Sequence, residues 1–285
     1  MIDANHVLWF ASSKRKYIGS LNPATGRISE ILLLDKKAKD PFALTFDDFG
    51  DIWFTTRNSN FVGRLKRPSQ SVNLISMPNK KLRLRDIVIT TDKTPWAIAT
   101  EDNQIVRVNR ADMPVTEIET PNAKSDFRQL ATTSDGKLWF TDFEFGTLVR
   151  YDPQSNYFEE WLLPGGVNSK PGGMAVDKDD RIWLVETGKN PNRLVGFDTG
   201  TQTFLTETAI PSGAGSVSHL HYFEPAGEMW FANRTRLCMN QKEIPWESVG
   251  SFDFKGIPDT IECFRAVPPG QCILPEAVEG AVKLK

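Results

Sequence analysis

A short apolar segment with tryptophan at its centre recurs along almost the whole chain, and its period limits the possible folds more than any other feature. Successive tryptophans of this set lie 44, 43, 43, 44 and 47 residues apart. The six segments are Leu8-Trp9-Phe10, Ile52-Trp53-Phe54, Pro95-Trp96-Ala97, Leu138-Trp139-Phe140, Ile182-Trp183-Leu184 and Met229-Trp230-Phe231. A period of about 40–45 residues is typical of proteins built from repeated small structural units.

The clearest repeat, from Arg128 to Pro164, reads as four short β-strands separated by turns. The dipeptide Asp135-Gly136 is a strong hairpin signal, and Pro164 ends the unit because proline cannot donate to a strand ladder. Four strands in each period of this length predict an all-β fold, a β-propeller with four-stranded blades. The predicted strands of this unit are Gln129–Thr133, Leu138–Asp142, Thr147–Tyr151 and Tyr157–Leu163.

The third strand of the unit also recurs, for example as FVGRLKR from Phe61 and RLVGFDT from Arg193. In the sixth unit the matching sequence is SVGSFDF from Ser248, which predicts the third strand there, and the fourth strand is expected to end at Pro268. Because the repeat runs nearly from end to end, we predict a single propeller domain over residues 1–285. Six blades are the preferred count.

The first blade lacks a first strand of its own, since the chain begins with the second strand, His6–Ala11. Counting on from Pro268 places the tail, residues 269–285, in register with a first strand. There, Pro275-Glu276-Ala277-Val278 matches Pro171-Gly172-Gly173-Met174. We therefore predict that a C-terminal strand closes the first blade. A seven-bladed ring with one blade missing, or a disordered tail, is the alternative.

Composition and charge narrow the possible partners. The formal net charge is −2, which gives no electrostatic reason to expect binding to nucleic acid or to an anionic membrane. No apolar run is long enough to span a bilayer, and no signal peptide precedes the repeats. The three cysteines, Cys238, Cys263 and Cys272, do not form a disulfide framework. These features predict a cytoplasmic protein, and we expect it to be a monomer.

The repeated pattern resembles the virginiamycin B lyase (streptogramin lyase) family. The closest stretches are KPGGMAVDKDDRIWLVETG, KLWFTDFEFGTLVRYDP and VSHLHYFEPAGEMWFANR. This resemblance implies a propeller, seven-bladed in that family, that opens a cyclic depsipeptide by β-elimination at an ester with the help of a divalent metal, usually Mg²⁺. It further implies that histidines at the start of first strands, together with glutamates, carry out the reaction.

Two sets of positions correspond to that site. In a propeller, the start of the innermost strand and the end of the second strand approach the central channel on one face, where ligands bind. The positions eleven residues before each tryptophan are Phe42, Arg85, Arg128, Gly172 and His219, with Glu276 placed by the register of the tail. Those three residues after each tryptophan are Ser12, Thr56, Ala99, Asp142, Glu186 and Asn233.

Roles follow from the chemistry of these side chains. His219 and Glu186 are the candidate catalytic residues, with His219 as the base. Carboxylate oxygens suit a divalent cation, Mg²⁺ first, which makes Asp142, Glu186 and Glu276 the candidate metal ligands. Guanidinium and amide groups can hold a carbonyl-bearing or anionic ligand. Arg85, Arg128 and Asn233 are the candidate substrate-binding residues.

Two functions agree with this pattern. The first is a lyase of the streptogramin type that acts on an ester or lactone in a cyclic depsipeptide or a related substrate. The second is a non-catalytic propeller that binds a small molecule, a peptide or a protein at the mouth of the channel. The position two residues before His219 is Val217, where the family's site has an acid, and this favours the second function. The retained blade motifs and His219 itself favour the first.

Overall fold

The computed structural model describes residues 1–33, 38–100, 103–210, 213, 215–224, 227–233, 246–252 and 261–266, with side chains as far as Phe231. This part of the chain is all-β. Its one helical segment is a 3-10 turn, Gly166–Asn168. Within the described ranges, no helix has the length and hydrophobicity needed to cross a membrane.

In the part of the chain that the structure describes, the strands form six sheets through antiparallel pairing of neighbouring strands. The first three sheets contain β1 (Leu8–Ser12), β2 (Tyr17–Asn22) and β3 (Arg27–Leu32); β4 (Pro41–Phe46), β5 (Ile52–Thr56), β6 (Phe61–Lys66) and β7 (Ser71–Ser76); and β8 (Arg83–Ile89), β9 (Pro95–Thr100), β10 (Gln104–Val108) and β11 (Val115–Glu119). The other three contain β12 (Phe127–Thr132), β13 (Leu138–Asp142), β14 (Thr147–Asp152) and β15 (Tyr157–Leu162); β16 (Pro171–Val176), β17 (Ile182–Glu186), β18 (Arg193–Asp198) and β19 (Thr203–Ala209); and β20 (Leu220–Phe223), β21 (Glu228–Asn233), β22 (Trp246–Phe252) and β23 (Ile261–Ala266).

The prediction of four-stranded units is confirmed, and in the fourth sheet the boundaries agree within one or two residues. The first sheet has three described strands, and Ile2 adds an isolated antiparallel bridge to Leu8. Residues before His6 therefore pair with β1, although the sequence pattern assigned no first strand there. The closing strand proposed for the tail lies outside the described residues, so the blade count of six stays a prediction.

In the sixth sheet the predicted order of strands is wrong. The segment from Ser248 was expected in third place, but β22 lies at the edge and β23 lies between β21 and β22. The similarity of SVGSFDF to other third strands is a local signal. Strand order also depends on which strand pairs with β21 after a long connection, and a local motif does not fix that choice.

The chain divides into two compact units. The first contains Met1–Phe140 and Arg150–Glu159. The second contains Thr141–Val149 and the described residues from Glu160 onward. The single domain over residues 1–285 stays a prediction.

A polar side chain six residues before the repeated tryptophan fixes the turn between the first and second strands. In three repeats this residue is an aspartate, and its carboxylate accepts a hydrogen bond from the indole N–H at 2.9–3.0 Å. In the repeat of Trp139 the residue is a threonine, and its hydroxyl oxygen accepts the indole N–H at 3.1 Å. The pairs are Asp3 with Trp9, Asp47 with Trp53, Asp177 with Trp183 and Thr133 with Trp139. This bond satisfies the only donor of a largely buried indole, so each tryptophan can pack in the core without a polar penalty.

In the first unit, arginines connect these aspartates to neighbouring sheets. Arg67, just after β6, donates to Asp3 at 2.6 Å, and Arg110, just after β10, donates to Asp47 at 2.9 Å. Arg64 lies 3.3 Å from the same Asp47 oxygen. The Asp47 side chain is fully buried, so its charge is stabilised by these partners and not by water.

Candidate functional site

The predicted site positions lie where first strands begin and second strands end, and β-bulges mark several of these starts. The extra residue of a bulge leaves the ladder and turns its side chain away from the regular alternation. Second strands β5, β13 and β17 end at the predicted Thr56, Asp142 and Glu186. The first strands shift register between Pro41 and Leu44, between Leu84 and Asp86, and between Pro171 and Met174.

Glu186 is the most unusual polar group of the second unit. Its side chain is fully buried, with 0% of the residue exposed. Oε1 accepts a hydrogen bond from the backbone N–H of Gly165 at 2.7 Å. Oε2 is also buried and accepts no hydrogen bond from any residue that the structure describes. Burial raises the pKa of Glu186, and the Gly165 N–H opposes this shift. A buried carboxylate with a free oxygen can hold a cation or transfer a proton.

The loop that follows β15 holds this carboxylate because Gly165 has no side chain. A Cβ at Gly165 would lie 2.6 Å from Glu186 Oε2 and 2.5 Å from Cε of Lys189. Gly165 can therefore present its N–H to the carboxylate only as glycine. The same distances place the aliphatic end of Lys189 next to the carboxylate.

The start of β16 connects Glu186 to the segment that carries His219. Pro171 pairs with Glu186 across the ladder. Gly173 donates its N–H to the carbonyl of Val217 at 2.8 Å. A Cβ at Gly173 would lie 2.6 Å from the backbone carbonyl carbon of His219. Glycine at this position therefore lets the chain before β20 approach the start of β16.

Gly173→Ala is expected to displace the His219 segment. The methyl group would meet backbone atoms, which cannot rotate away as a flexible side chain can, and a destabilisation of about 1–3 kcal/mol should follow. Chemical denaturation of the variant measures this cost. Gly200→Ala, in an exposed turn of the same sheet where the nearest atom is a carboxylate oxygen at 3.3 Å, is the matched control. Equal stability of the two variants would contradict the close approach.

His219 itself is exposed and immediately precedes β20. Its imidazole makes no hydrogen bond or ion pair with any residue in the described part of the chain. Val217, two residues earlier, is only 1% exposed, and its carbonyl is engaged by Gly173. The segment is thus held by its backbone, while the imidazole is accessible to a ligand.

Asp142 has a turn-forming role that the sequence did not indicate. Its residue is 1% exposed. Oδ1 accepts the backbone N–H groups of Glu144 at 2.9 Å and Phe145 at 3.2 Å, and its carbonyl accepts the N–H of Gly146 at 3.0 Å. These contacts shape the hairpin between β13 and β14 as an Asx turn. One oxygen of the predicted metal ligand is therefore already used by the backbone.

In the first unit the structure brings Arg85 and Arg128 together. Nε of Arg85 donates to the carbonyl of Arg128 at 2.9 Å, and Arg128 forms an ion pair with Asp126. Burial, followed by the nearby charges of Arg128 and Arg57, lowers the pKa of Arg85 to about 10. Arg85 therefore remains a cation at neutral pH. Sequence reasoning did not find Arg57, which lies after β5 and outside the two sets of counted positions.

The structure says less about two further candidates, Asn233 and Glu276. Asn233 is the last residue of β21, and its backbone pairs with Glu262 of β23. Glu276 lies outside the described residues. Within the described part of the chain, no three His, Cys, Asp or Glu side chains come together. Of the predicted metal ligands there, Glu186 alone keeps a buried oxygen without a protein partner.

Repeated four-stranded sheets of this kind are consistent with a β-propeller, and this is the class of protein that the fold defines. The chain belongs to the virginiamycin B lyase family, whose model matches residues 1–241. The predicted family is thereby confirmed.

Solved structures of lyases are similar to this chain. A virginiamycin B lyase from Staphylococcus aureus, substituted with selenomethionine, is 25% identical, with a TM-score of 0.73 over 81% of this chain and 75% of that one. A streptogramin B lyase is 23% identical, with a TM-score of 0.72 over 81% of this chain and 74% of that one. The catalytically inactive S. aureus lyase variant with quinupristin is 21% identical, with a TM-score of 0.73 over 93% and 78%. A search among curated proteins found no match.

Proposed function

We propose that this protein is a streptogramin lyase-like enzyme that opens an ester or lactone in a cyclic depsipeptide, or in a related substrate, by β-elimination. Membership of the virginiamycin B lyase family supports the reaction class. The observation that carries the proposal to particular residues is the arrangement in the second unit. There, the backbone of Glu186, whose carboxylate is buried, pairs with Pro171 at the start of β16, and the backbone of His219 lies beside Gly173 of the same strand.

His219 is the proposed general base. An imidazole is the commonest proton acceptor in catalysis at neutral pH, and this one is open to a ligand. It takes the proton from the carbon next to the carbonyl. The electron pair of that C–H bond forms the new carbon–carbon double bond, and the bond between the neighbouring carbon and the ester oxygen breaks. The leaving group is a carboxylate, and no water is consumed.

A divalent cation, Mg²⁺ first, is part of the proposal. Glu186 fits this role, because its Oε2 is buried and no described residue donates a hydrogen bond to it. Asp142, at the corresponding end of β13, would be the second ligand. Mg²⁺ is usually held by one or two carboxylates and keeps several waters. When bound, the cation would supply a positive charge that stabilises the enolate-like charge of the transition state.

The second candidate function, a non-catalytic binding protein, is favoured by one observation. Val217 occupies the position where the family's site is expected to have an acid, and it is buried with its carbonyl engaged. His219 therefore has no acidic neighbour there. On this reading the same loops bind a small molecule, a peptide or a protein without chemical change. Six blades and a C-terminal closing strand remain part of the proposal in either case.

His219→Ala tests the catalytic role of the imidazole. Turnover of streptogramin B in the presence of Mg²⁺ should fall by about 100-fold or more, since removal of a general base has effects of this size. Stability should stay within about 0.5 kcal/mol, because the exposed imidazole makes no hydrogen bond with the described residues. Turnover is followed by chromatography of the linear product, and stability by thermal unfolding.

The control is His221→Ala, two residues further along, where the histidine is also exposed and pairs with Trp230 through the ladder. This variant should keep the wild-type rate. An equal loss of turnover in both variants, or unchanged turnover in His219→Ala, would contradict the assignment of the base.

A further inference from the structure

Arg85 is a half-buried cation without an anionic partner among the described residues. Its Nε donates to the carbonyl of Arg128 at 2.9 Å, and its Cζ lies 5.9 Å from the centre of the Phe42 ring. Its two terminal nitrogens make no hydrogen bond, and no carboxylate lies within ion-pair distance, in the part of the chain that the structure describes. A guanidinium carries five N–H donors, so most of the hydrogen-bonding capacity of Arg85 is unused.

Neighbouring positive charges raise the free energy of a state in which Arg85 has no anionic partner. Arg128 and Arg57 are both close enough to act against its charge. Cζ of Arg57 lies 5.1 Å from the Phe42 ring, and Arg57 also has no ion pair with the described residues. Two guanidinium groups, those of Arg57 and Arg85, thus lie beside the Phe42 ring, and Arg128 adjoins Arg85 through its backbone carbonyl. Like charges at short distance repel each other, and an anion bound between them would offset this repulsion.

The carboxylates nearby do not neutralise the group. Asp126 pairs with Arg128. Asp86 accepts the backbone N–H groups of Ile87 and Leu130, each at 2.9 Å. The first of these N–H groups belongs to β8 and the second to β12, so Asp86 has a structural role between these strands. No direct contact joins either carboxylate to Arg85, so the cluster keeps an excess of positive charge around this side chain.

We propose that Arg57, Arg85 and Arg128 form a binding site for the oxyanion of a small organic ligand, a carboxylate or a phosphate, whose apolar part contacts Phe42. The planar fork of a guanidinium matches both groups. The position of Arg85 at the bulge of β8 removes its side chain from the regular ladder and makes its terminal nitrogens available. The half-buried Phe42 ring supplies apolar surface beside the cations.

This site belongs to the first unit alone and does not depend on the proposed elimination reaction. A failure of the lyase assay would leave it untouched, because its test is direct binding. Conversely, a protein with lyase activity and no anion binding would contradict only this inference.

Isothermal titration with four probes at constant ionic strength tests the site: benzoate, phenyl phosphate, inorganic phosphate and the neutral benzamide. Constant ionic strength keeps the screening of charges equal in all four titrations, so that a difference in screening is not mistaken for a difference in binding. Saturable binding of benzoate or phenyl phosphate, with Kd on the order of 1 mM, is expected. Inorganic phosphate should bind more weakly and benzamide not at all. The preferred probe decides between carboxylate and phosphate.

Arg85→Met should weaken binding of the preferred probe by about tenfold or more, since charge-assisted hydrogen bonds are lost. Arg15→Met, in an exposed turn, removes the same charge elsewhere and should bind as the wild type does. In the wild type, the ¹⁵N resonance of Arg85 Nε, assigned by its absence in the variant, should shift on titration. If Arg85→Met does not fold, random-coil spectra will show it, and site-selective labelling of the wild type then provides the assignment.

The inference would be overturned by any of three results. Wild-type protein could bind none of the probes, benzamide could bind as tightly as benzoate, or binding could occur with no shift of the Arg85 resonance. If inorganic phosphate bound with the same Kd as phenyl phosphate, the proposed contact between the ligand and Phe42 would be wrong.

Discussion

Asp47→Ala is expected to lower the free energy of unfolding by about 3–5 kcal/mol, since it removes one partner of a buried charge network. The carboxylate accepts hydrogen bonds from the indole of Trp53 at 3.0 Å, from Arg110 at 2.9 Å and from the backbone N–H groups of Phe49 at 3.0 Å and Asp51 at 2.9 Å. All of these donors would lose their acceptor together. The melting temperature should fall by about 10 °C.

Asp48→Ala is the matched control for this variant. Asp48 also pairs with Arg110, at 2.6 Å, but its side chain is 36% exposed. A pair this exposed contributes little to stability, because solvent screens its charges. Thermal and urea unfolding of both variants separate the two cases. If Asp47→Ala were no less stable than Asp48→Ala, the hydrogen bonds of Asp47 in the aspartate–tryptophan turn would not be a main source of stability.

Glu186→Gln is expected to reduce turnover strongly and to stabilise the fold at the same time. Glutamine keeps an oxygen that can accept the N–H of Gly165, but it removes the buried charge. Loss of a catalytic carboxylate should reduce the rate by about 100-fold or more. The gain in stability should be on the order of 1 kcal/mol at neutral pH, as is common where a site is built at the expense of stability.

The sign of the pH dependence follows from the raised pKa of Glu186, whose main cause is burial. Below the unfolded pKa the group is protonated in both states, and burial costs nothing. As the pH rises through the native pKa, the carboxylate becomes charged in the native state as well, and native stability is lost. The advantage of Glu186→Gln should therefore be full above the native pKa and should vanish at acid pH.

Unfolding of wild type and variant across pH measures this difference. Glu30→Gln, at an exposed position of β3, should change neither turnover nor the shape of the stability curve. A Glu186→Gln variant that was destabilised at neutral pH, or that kept its turnover, would contradict a functional buried carboxylate.

Much of the fold could be predicted from sequence because the signals are local. Strand β13 ends at Asp142 as predicted, since turn residues and alternating apolar positions act within a few residues. The count from each tryptophan also located Glu186 at the end of β17 and Arg85 at a bulge. A fixed repeat transfers each position from one sheet to the next.

The features that could not be predicted from the sequence depend on contacts between residues that are far apart along the chain. The order of β22 and β23 depends on which of them pairs with β21. The free oxygen of Glu186 depends on the approach of Gly165, 21 residues earlier. The turn aspartates, in contrast, follow a signal that is present in the sequence: Asp3, Asp47 and Asp177 all lie six residues before a tryptophan.

The most direct test of the proposed reaction is the mass of the product formed from streptogramin B by the purified wild-type protein with Mg²⁺. Elimination opens the ring without adding any atom, so we expect a linear product with the mass of the substrate and a new carbon–carbon double bond. A product heavier by one water would show hydrolysis in place of elimination. That result, or recovery of the intact ring after prolonged incubation, would contradict the account of the second unit as a lyase site.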